Sequence, residues 1–392
     1  MDFSLESING LVSSLPGGDV LWMALMFIVV LSILVFFHEL GHYLAARSVG
    51  VRVTTFSIGF GKELFGWNDK HGTRWKFSLV PLGGYVQMFG DTETKDLTEA
   101  EKSEAFLEKG VWQRIWVVFA GPLANFVLAI VFLFGLMLSG EEVLKPHVGT
   151  VTEGSAAEAG GIQEGDLFLV MDGNPVFKWD DVVKNIAASQ GKPMTLVMER
   201  DAQALTLLVA PKVEKRNNLM GEEVVIPFLG VSPSGERTVV EHSVGDALVL
   251  GFTRTYDITA RILEGIGKII TGSVSAKHVG GPVMIAEVAG QAGSQGWYSL
   301  VMFMVVISIN LGLINLFPIP VLDGGHLLFY FIEALRGKPL GEKAQEYGYR
   351  VGFGLIMMLM LLAISNDILR VVNKFTDDKE QVTLEAPVQE KE

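Results

Sequence analysis

The chain has 392 residues, of which 49% are hydrophobic and only 19% are charged, a composition typical of a membrane protein rather than a soluble enzyme. Its net charge of −13 leaves no basic surface for phosphate groups, which argues against nucleic-acid binding. The chain contains no cysteine, so disulfides, thiol nucleophiles and cysteine–zinc sites are excluded.

Four apolar stretches are long enough to cross a bilayer about 30 Å thick. They are 20–37 with the helix that continues from it, 112–138, 297–317 and 351–369. We expect the first stretch to be retained rather than cleaved as a signal peptide, because no Lys or Arg precedes it and no cleavage-like site follows. The sequence therefore predicts a polytopic α-helical membrane protein with about four transmembrane helices.

The orientation is predicted from the basic residues, because Lys and Arg beside spans remain in the cytoplasm. Such residues follow the first span and separate the third from the fourth, whereas the residues before the first span have none. They are Arg47, Arg52, Lys62, Arg336, Lys338, Lys343 and Arg350. Arg370 and Lys374 favour the opposite orientation. We expect both termini, and the long segment between spans two and three, to lie outside the cytoplasm.

Between the first two spans, residues 44–90 change to short β-type runs interrupted by glycines. Alternating apolar residues, a proline and a glycine pair predict a bent edge strand that lies against the membrane. These residues are Trp75, Phe77, Leu79, Pro81, Gly83 and Gly84. The densely charged segment 91–109 is predicted to be a solvated loop or short helix.

A separate small domain is predicted at 147–212, between spans two and three. It combines strands at 147–151 and 167–173 with a helix at 179–191 and a hairpin at 193–211. The helix is expected to turn Val182, Val183 and Ile186 inward, and the hairpin to turn at Asp201-Ala202.

The remaining segments complete a five-part division of the chain. Residues 213–237 are predicted to be a linker, and 244–270 an amphipathic helix on the membrane surface or on the soluble domain. The tail from 375 is polar and predicted to be disordered. The five parts are a membrane core at 1–138, the small domain at 147–212, linker and amphipathic helix at 213–296, a second membrane core at 297–374 and the tail at 375–392.

The stretch FFHELGHYLA at 36–45 ends the first span with three ionisable side chains. On a helix, His38 and His42 lie one turn apart on the same face and can bind one metal ion, while Glu39 lies beside them to hold a water. The alternative is two surface histidines and an acid beyond the end of a helix. The metal site is favoured because ionisable residues within or at the edge of a span are usually functional.

A catalytic zinc needs a third protein ligand from another segment at membrane depth. Asp323 is the candidate, because it ends a different apolar span where Pro318 and Pro320 break the helix and Gly324-Gly325 permits close backbone approach. Two alternatives remain. His326 is a rival ligand, and Asp323 could be an ordinary loop acid.

These motifs resemble the site-2 protease family of intramembrane zinc metalloproteases. The resemblance is carried in chain order by HELGH at 38–42, PLGGYV at 81–86, GPLAN at 121–125 and NLGLINLFPIPVLDGGHLL at 310–328. It implies that His38, His42 and Asp323 bind Zn²⁺ and that Glu39 is the catalytic base. It also implies a group of residues that bind the substrate: Gly83, Gly84, Tyr85, Val86, Asn310, Asn315, Pro318 and Pro320.

Other residues in these motifs have structural interpretations. Each asparagine at 310 and 315 could instead form a hydrogen bond between helices. Gly121 and Asn125 are interpreted as a packing notch of small residues between helices, outside the active site.

The resemblance further implies a membrane-associated β element and an inserted periplasmic α/β PDZ domain at 147–212. Similar bacterial members of the family carry two such domains in tandem, and this segment has room for one. The expected partners are the lipid bilayer and single-pass membrane substrates, such as an anti-sigma factor or remnant signal peptides. The expected location is the bacterial inner membrane, and the expected function is regulated intramembrane proteolysis in envelope stress signalling.

Two other classes of function compete with the protease. One is a PDZ-bearing membrane scaffold with a non-catalytic metal site, which would need no Glu39. The other is a zinc transporter, which predicts acids and histidines spread over several spans rather than gathered at two span ends.

Overall fold

The computed structural model describes residues 4–92, 96–217, 223–275, 277 and 279–384. The helices are α1 (Leu5–Ser13), α2 (Gly18–Ser48), α3 (Glu99–Lys102), α4 (Val111–Leu138), α5 (Ala156–Ala159), α6 (Trp179–Ser189), α7 (Val244–Ile270), α8 (Pro282–Ser294), α9 (Trp297–Leu316), α10 (Asp323–Arg336) and α11 (Glu342–Leu384). The strands are β1 (Val53–Asn68), β2 (Arg74–Met88), β3 (Glu141–Leu144), β4 (Val148–Val151), β5 (Leu167–Met171), β6 (Asn174–Pro175), β7 (Met194–Arg200), β8 (Gln203–Val209), β9 (Lys212–Asn217), β10 (Glu223–Phe228), β11 (Val231–Pro233) and β12 (Arg237–Val240).

The chain divides into two units. The membrane unit comprises 1–134, 248–266 and 276–392, and the inserted unit comprises 135–247 and 267–275. In the described part of the chain, four helices are long and apolar enough to cross a membrane: α2, α4, α9 and residues 342–373 of α11. They overlap the four stretches predicted from hydropathy.

Helix α2 is the centre of the membrane unit. One face of it, with Trp22, Met26, Val30 and Leu34 at steps of four residues, is buried against α8 and α9. The small residues Ala289, Gly290, Ala292 and Gly293 let the backbone of α8 approach that face. The Trp22 indole N–H also donates to the Gly290 carbonyl at 2.9 Å. The same helix continues without a break through the HELGH motif to Ser48.

Strands β1 and β2 form an antiparallel sheet in which each strand bends back on itself. Residues 55–58 of β1 pair on one side with 74–77 and on the other with 84–87, and 74–77 also pair with 65–68. The segments therefore lie in the order 84–88, 53–58, 74–78, 63–68. Gly83, with a φ of 106° that favours glycine, lies at the bend before the edge segment, as predicted.

Asp69 attaches this sheet to α2. Its carboxylate accepts hydrogen bonds from the Tyr43 hydroxyl, the Trp75 indole and the backbone N–H groups of His71 and Thr73. Burial alone would raise the pKa of Asp69, but these hydrogen bonds, with that of Trp75 the strongest, lower it to about 2. The contribution of ionised Asp69 to the free energy of unfolding is therefore complete above the ordinary carboxyl pKa, and it is lost as the pH falls through about 2.

We expect Asp69→Ala to loosen the sheet, because it removes the shared acceptor of four hydrogen bonds, each of which contributes about 0.5–1.5 kcal/mol. Hydrogen exchange in peptides from 53–88 should accelerate at neutral pH, and Asp69→Asn should give an intermediate rate. Peptides from the inserted unit serve as the internal control. Unchanged exchange in the sheet would show that other contacts hold it to α2.

The inserted unit has an apolar core formed by its strands and α6. Strands β6-β5-β7-β8 form a four-stranded sheet, and β11 pairs with β4. The β7–β8 hairpin turns at Asp201-Ala202 as predicted, and both residues have the positive φ of a tight hairpin turn. Val182 is buried and Ile186 packs on the core, but Val183 is 53% exposed because one step along a helix rotates the side chain by about 100°. The prediction that Val183 faces inward is therefore wrong.

Two further predictions are corrected by the structure. Most of the described residues of 213–237 belong to strands β9 to β12 rather than to a linker, and Leu229, between β10 and β11, belongs to the core of the inserted unit. Helix α11 extends to Leu384, so residues 375–384 are helical, whereas 385–392 lie outside the described residues. The amphipathic helix predicted at 244–270 is α7, and within the membrane unit its Ile258 and Ile262 pack against α4 and α9. The charged segment before α4 contains the short helix α3, with a Thr98–Glu101 capping box.

Candidate metal centre and active site

Three candidate metal-ligand atoms meet where α2 faces the start of α10. His38 Nε2 lies 3.3 Å from His42 Nε2, and the two nitrogens lie 3.2 and 3.4 Å from Asp323 Oδ2. Ligands at about 2.0–2.1 Å from a tetrahedral zinc are separated by about 3.3 Å, so this triangle has the dimensions of a three-ligand zinc site. Among the described residues, this is the one group of His, Asp and Glu side chains with ligand atoms close enough to share a metal ion.

The donor set also fits zinc chemically. Two imidazoles and one carboxylate are the ligands that a catalytic zinc takes, with a fourth position left for water. Asp323 Oδ2 is buried, and within the described part of the chain the two imidazole nitrogens are the polar groups that approach it. A buried anionic oxygen in this position is costly unless a cation compensates it.

The sequence around Asp323 explains how it reaches the site. Helix α9 ends at Leu316 before the two prolines, and Asp323 is the first residue of α10. A Cβ on Gly324 would overlap the Phe317 carbonyl oxygen, and one on Gly325 would lie 2.6 Å from the Ile319 carbonyl oxygen. Only glycine therefore allows α10 to restart so close to the end of α9. Val321 adopts a φ of 101°, a strained conformation for a β-branched residue.

Helix α4 orients both histidines. The Nδ1–H of His42 donates to the Val117 carbonyl at 2.9 Å, and a Cβ on Gly121 would overlap the His42 ring. Asn125, fully buried, places its amide nitrogen 3.1 Å from Nδ1 of His38. The packing-notch interpretation therefore holds for Gly121 but misses the contact of Asn125. A polar residue in the middle of an apolar span was the signal that could have identified it.

Glu39 lies next to the three ligands but outside the triangle. Its carboxylate faces the backbone N–H of Val86 in the edge segment of β2, and a Cβ on Gly84 would lie 3.4 Å from its side chain. Glu39 and the ligands line a cleft of about 380 Å³ together with Tyr85, Val86 and residues of the loop after β2. A carboxylate beside the metal position, but not in it, can exchange protons with a water there.

The predicted substrate-binding residues fall into two groups. Tyr85 and Val86 line the cleft, and Gly83 and Gly84 form the bend that leads into them. Asn310, Asn315, Pro318 and Pro320 are not among its lining residues in the described part of the chain. Instead, Pro320 packs against Gly325 of α10 and against Gly348 and Gly352 of α11.

His326, the rival ligand, lines the same cleft but does not belong to the ligand triangle. Its Nδ1 lies 3.4 Å from the Tyr349 hydroxyl of α11.

A buried ion pair, not identified from the sequence, attaches α10 to α4. Arg114 forms two hydrogen bonds to the Glu333 carboxylate, at 3.2 and 2.5 Å, and its guanidinium lies 4.7 Å from the Tyr330 ring centroid. Glu333 is in the helix that begins with Asp323. The pair therefore helps to hold Asp323 against His38 and His42 of α2.

Comparison with known proteins agrees with this chemistry. Residues 26–359 match the family described as Peptidase family M50. The chain is 40% identical over 357 residues to a "Putative zinc metalloprotease" of Agrobacterium fabrum, covering 87% of this chain and 94% of that one. It is 31% identical over 449 residues to the "Regulator of sigma-E protease RseP" of Salmonella typhimurium, covering 90% of this chain and all of that one.

Among solved structures, the PDZ domain of the SdrC-like protein from Listeria monocytogenes is similar to part of the chain. It is 16% identical, covers 22% of this chain and 84% of that one, and has a TM-score of 0.19.

The family match covers most of the chain, and the zinc cofactor and the resemblance to the site-2 protease family predicted from the motifs are confirmed. The protein is a zinc metalloprotease and belongs to peptidase family M50, the site-2 protease family.

Proposed function

We propose that the protein is an intramembrane endopeptidase that cuts the transmembrane segment of single-pass membrane proteins. One observation carries the proposal. His38, Glu39 and His42 lie within α2, a helix of 31 residues that is apolar enough to cross a bilayer, and Asp323 of α10 meets them there. The motif follows directly on the apolar run 20–37, so the site lies at the end of a membrane-spanning segment, where the transmembrane segment of a substrate can reach it.

The proposed roles follow from the contacts. His38, His42 and Asp323 bind Zn²⁺, which when bound supplies Lewis acidity that activates a water and polarises the scissile carbonyl. Glu39 accepts the proton of the attacking water and returns it to the leaving nitrogen. The backbone of Val86 lies beside the Glu39 carboxylate in the cleft.

The substrate must be unwound before it is cut, because a helix holds its carbonyls in i to i+4 hydrogen bonds. We propose that the unwound strand pairs with the edge segment 84–88 of β2, whose other edge is occupied by β1. Gly83, Gly84, Tyr85 and Val86 would guide it past Glu39. Asn310, Asn315, Pro318 and Pro320 remain proposed contacts for its far end.

The similarity to RseP and the basic residues after α2 support a location in the bacterial inner membrane, with four spans and both termini outside the cytoplasm. The inserted unit would then be a single periplasmic PDZ domain. Two features support it: the strands share one apolar core with Val182 of α6, and Gly230, just before β11, has a left-handed φ of 90°. The substrate class includes an anti-sigma factor, the kind of target that envelope stress signalling requires, and remnant signal peptides.

Removing the metal tests the proposal directly. The purified chain in lipid vesicles is mixed with a single-span substrate, and the products are identified by mass spectrometry. We expect cleavage inside the apolar segment, loss of cleavage after chelation, and recovery with Zn²⁺. Cuts confined to residues outside the span would contradict intramembrane proteolysis. Cleavage that survives chelation would contradict the metal site.

The competing PDZ scaffold with a non-catalytic metal predicts no product in this assay, although it still predicts bound zinc. A zinc transporter predicts uptake of zinc into the vesicles without cleavage.

A further inference from the structure

The two imidazoles of the metal centre meet different partners on α4. His42 faces a backbone carbonyl, that of Val117, whereas His38 faces the side-chain amide of Asn125. Val117 and Asn125 are eight residues apart, a little over two turns of α4. Each of the two histidines therefore has one partner on α4 that contacts its Nδ1, the ring nitrogen that points away from the metal position.

Metal binding requires the same tautomer in both imidazole rings. A neutral imidazole that binds a metal through Nε2 carries its proton on Nδ1, so Nδ1 needs a hydrogen-bond acceptor. The Val117 carbonyl can only accept, and it therefore fixes His42 in the required tautomer. An amide nitrogen can only donate, so the present orientation of Asn125 suits the opposite tautomer of His38.

We propose that Asn125 is a positioning residue for the zinc ligand His38 and acts through its oxygen. A half-turn about the terminal torsion of Asn125 exchanges its oxygen and nitrogen with little change in shape. Among the described residues no donor binds Oδ1, so the half-turn breaks no bond at that atom. The oxygen then accepts the Nδ1–H of His38 and leaves Nε2 free for the metal. The ring stays neutral, because a proton leaves Nε2 as one is gained at Nδ1.

The surroundings of Asn125 are suited to this role. The residue is completely buried, and its backbone carbonyl accepts a hydrogen bond of 2.8 Å from the buried Ser308 hydroxyl of α9. This bond holds the Asn125 backbone from the side of α9. A buried polar group in a membrane helix is costly unless it is paired, and a metal ligand is such a partner.

Two variants of similar size distinguish the effect of the side-chain oxygen from the effect of side-chain shape. Asn125→Leu removes the acceptor, and we expect a zinc affinity about 10–100-fold weaker, measured by chelator competition on the purified full-length chain. Asn125→Asp keeps an acceptor, and we expect an affinity equal to or tighter than that of the wild type. Visible absorption of the Co²⁺-substituted protein adds a spectroscopic readout, which should change in Asn125→Leu and be preserved in Asn125→Asp.

The matched control is Ser308→Ala, which removes a buried hydrogen bond to the same residue but leaves the His38 contact. We expect its zinc affinity to remain within about threefold of the wild type, because ligands and outer partners are unchanged. Equal weakening in Asn125→Leu and Asn125→Asp, or wild-type affinity in a folded Asn125→Leu, would overturn the proposal.

The inference rests on His38 being a ligand, as the proposed function requires, and the two can fail separately. A wild-type chain that binds no zinc contradicts the proposed function. Zinc binding that is indifferent to residue 125 contradicts only the role of Asn125.

Discussion

Glu39→Gln should abolish proteolysis while the zinc content stays at the wild-type level. The carboxamide keeps the size of the side chain but cannot accept the proton of the attacking water, and loss of a general base typically costs about 10²–10⁴-fold in rate. Glu39 lies outside the ligand triangle, so metal binding should persist. The measurement is cleavage of a co-expressed single-span substrate, with metal analysis of the purified protein.

Asp91→Asn is the matched control for this variant, because Asp91 lines the same cleft but does not belong to the ligand triangle. It should cost less than about tenfold in cleavage. Undiminished cleavage by Glu39→Gln would sink the assignment of Glu39 as the base. Proteomic comparison of membranes containing wild-type or Glu39→Gln protein should also reveal the natural substrates, because uncut proteins accumulate.

Asp323→Ala should release zinc, because it removes one of three protein ligands. The loss of affinity should exceed the about 10–100-fold that removing an outer partner of a ligand costs. Asp323→Asn, which keeps the shape and a neutral oxygen, should lie between Asp323→Ala and the wild type. Metal content after purification and chelator competition provide the measurements.

His326→Ala completes this experiment, because His326 lines the cleft without belonging to the triangle. We expect it to keep its zinc. If Asp323→Ala keeps the wild-type zinc content and His326→Ala loses it, the third ligand is His326 and the geometry of the triangle has another cause.

Much of the membrane unit could be predicted because its signals are local. Hydropathy located the four long helices, and helical periodicity placed His38 and His42 on one face. Asp323 stood out because a charge at the end of an apolar span has few structural uses. The edge segment of β2 was predicted from a proline and a glycine pair, which restrict backbone geometry wherever they occur.

The features that were missed depend on contacts distant in the chain. Val231 of β11 pairs with Val151 of β4, 80 positions earlier. Because this pairing is not visible in the local sequence, the segment 213–237 resembled a linker. Asn125 contacts a residue 87 positions away, and a neutral amide in a helix is more often a packing residue. Arg114 and Glu333 are 219 positions apart in the chain, and nothing in the sequence around either residue indicates that they form a pair.

The position of the site along α2 determines how many apolar residues remain on each fragment of a cleaved substrate. Because His38 follows the apolar run 20–37, a substrate helix cleaved level with it keeps only a short part of its apolar segment on the fragment that leaves on the Ser48 side, far less than the about 20 residues that a transmembrane helix needs. So short a remnant cannot span the bilayer, and it offers little apolar surface to hold the fragment there. One hydrolysed bond would therefore convert a membrane-bound regulator into a diffusible one, without a separate step to extract it.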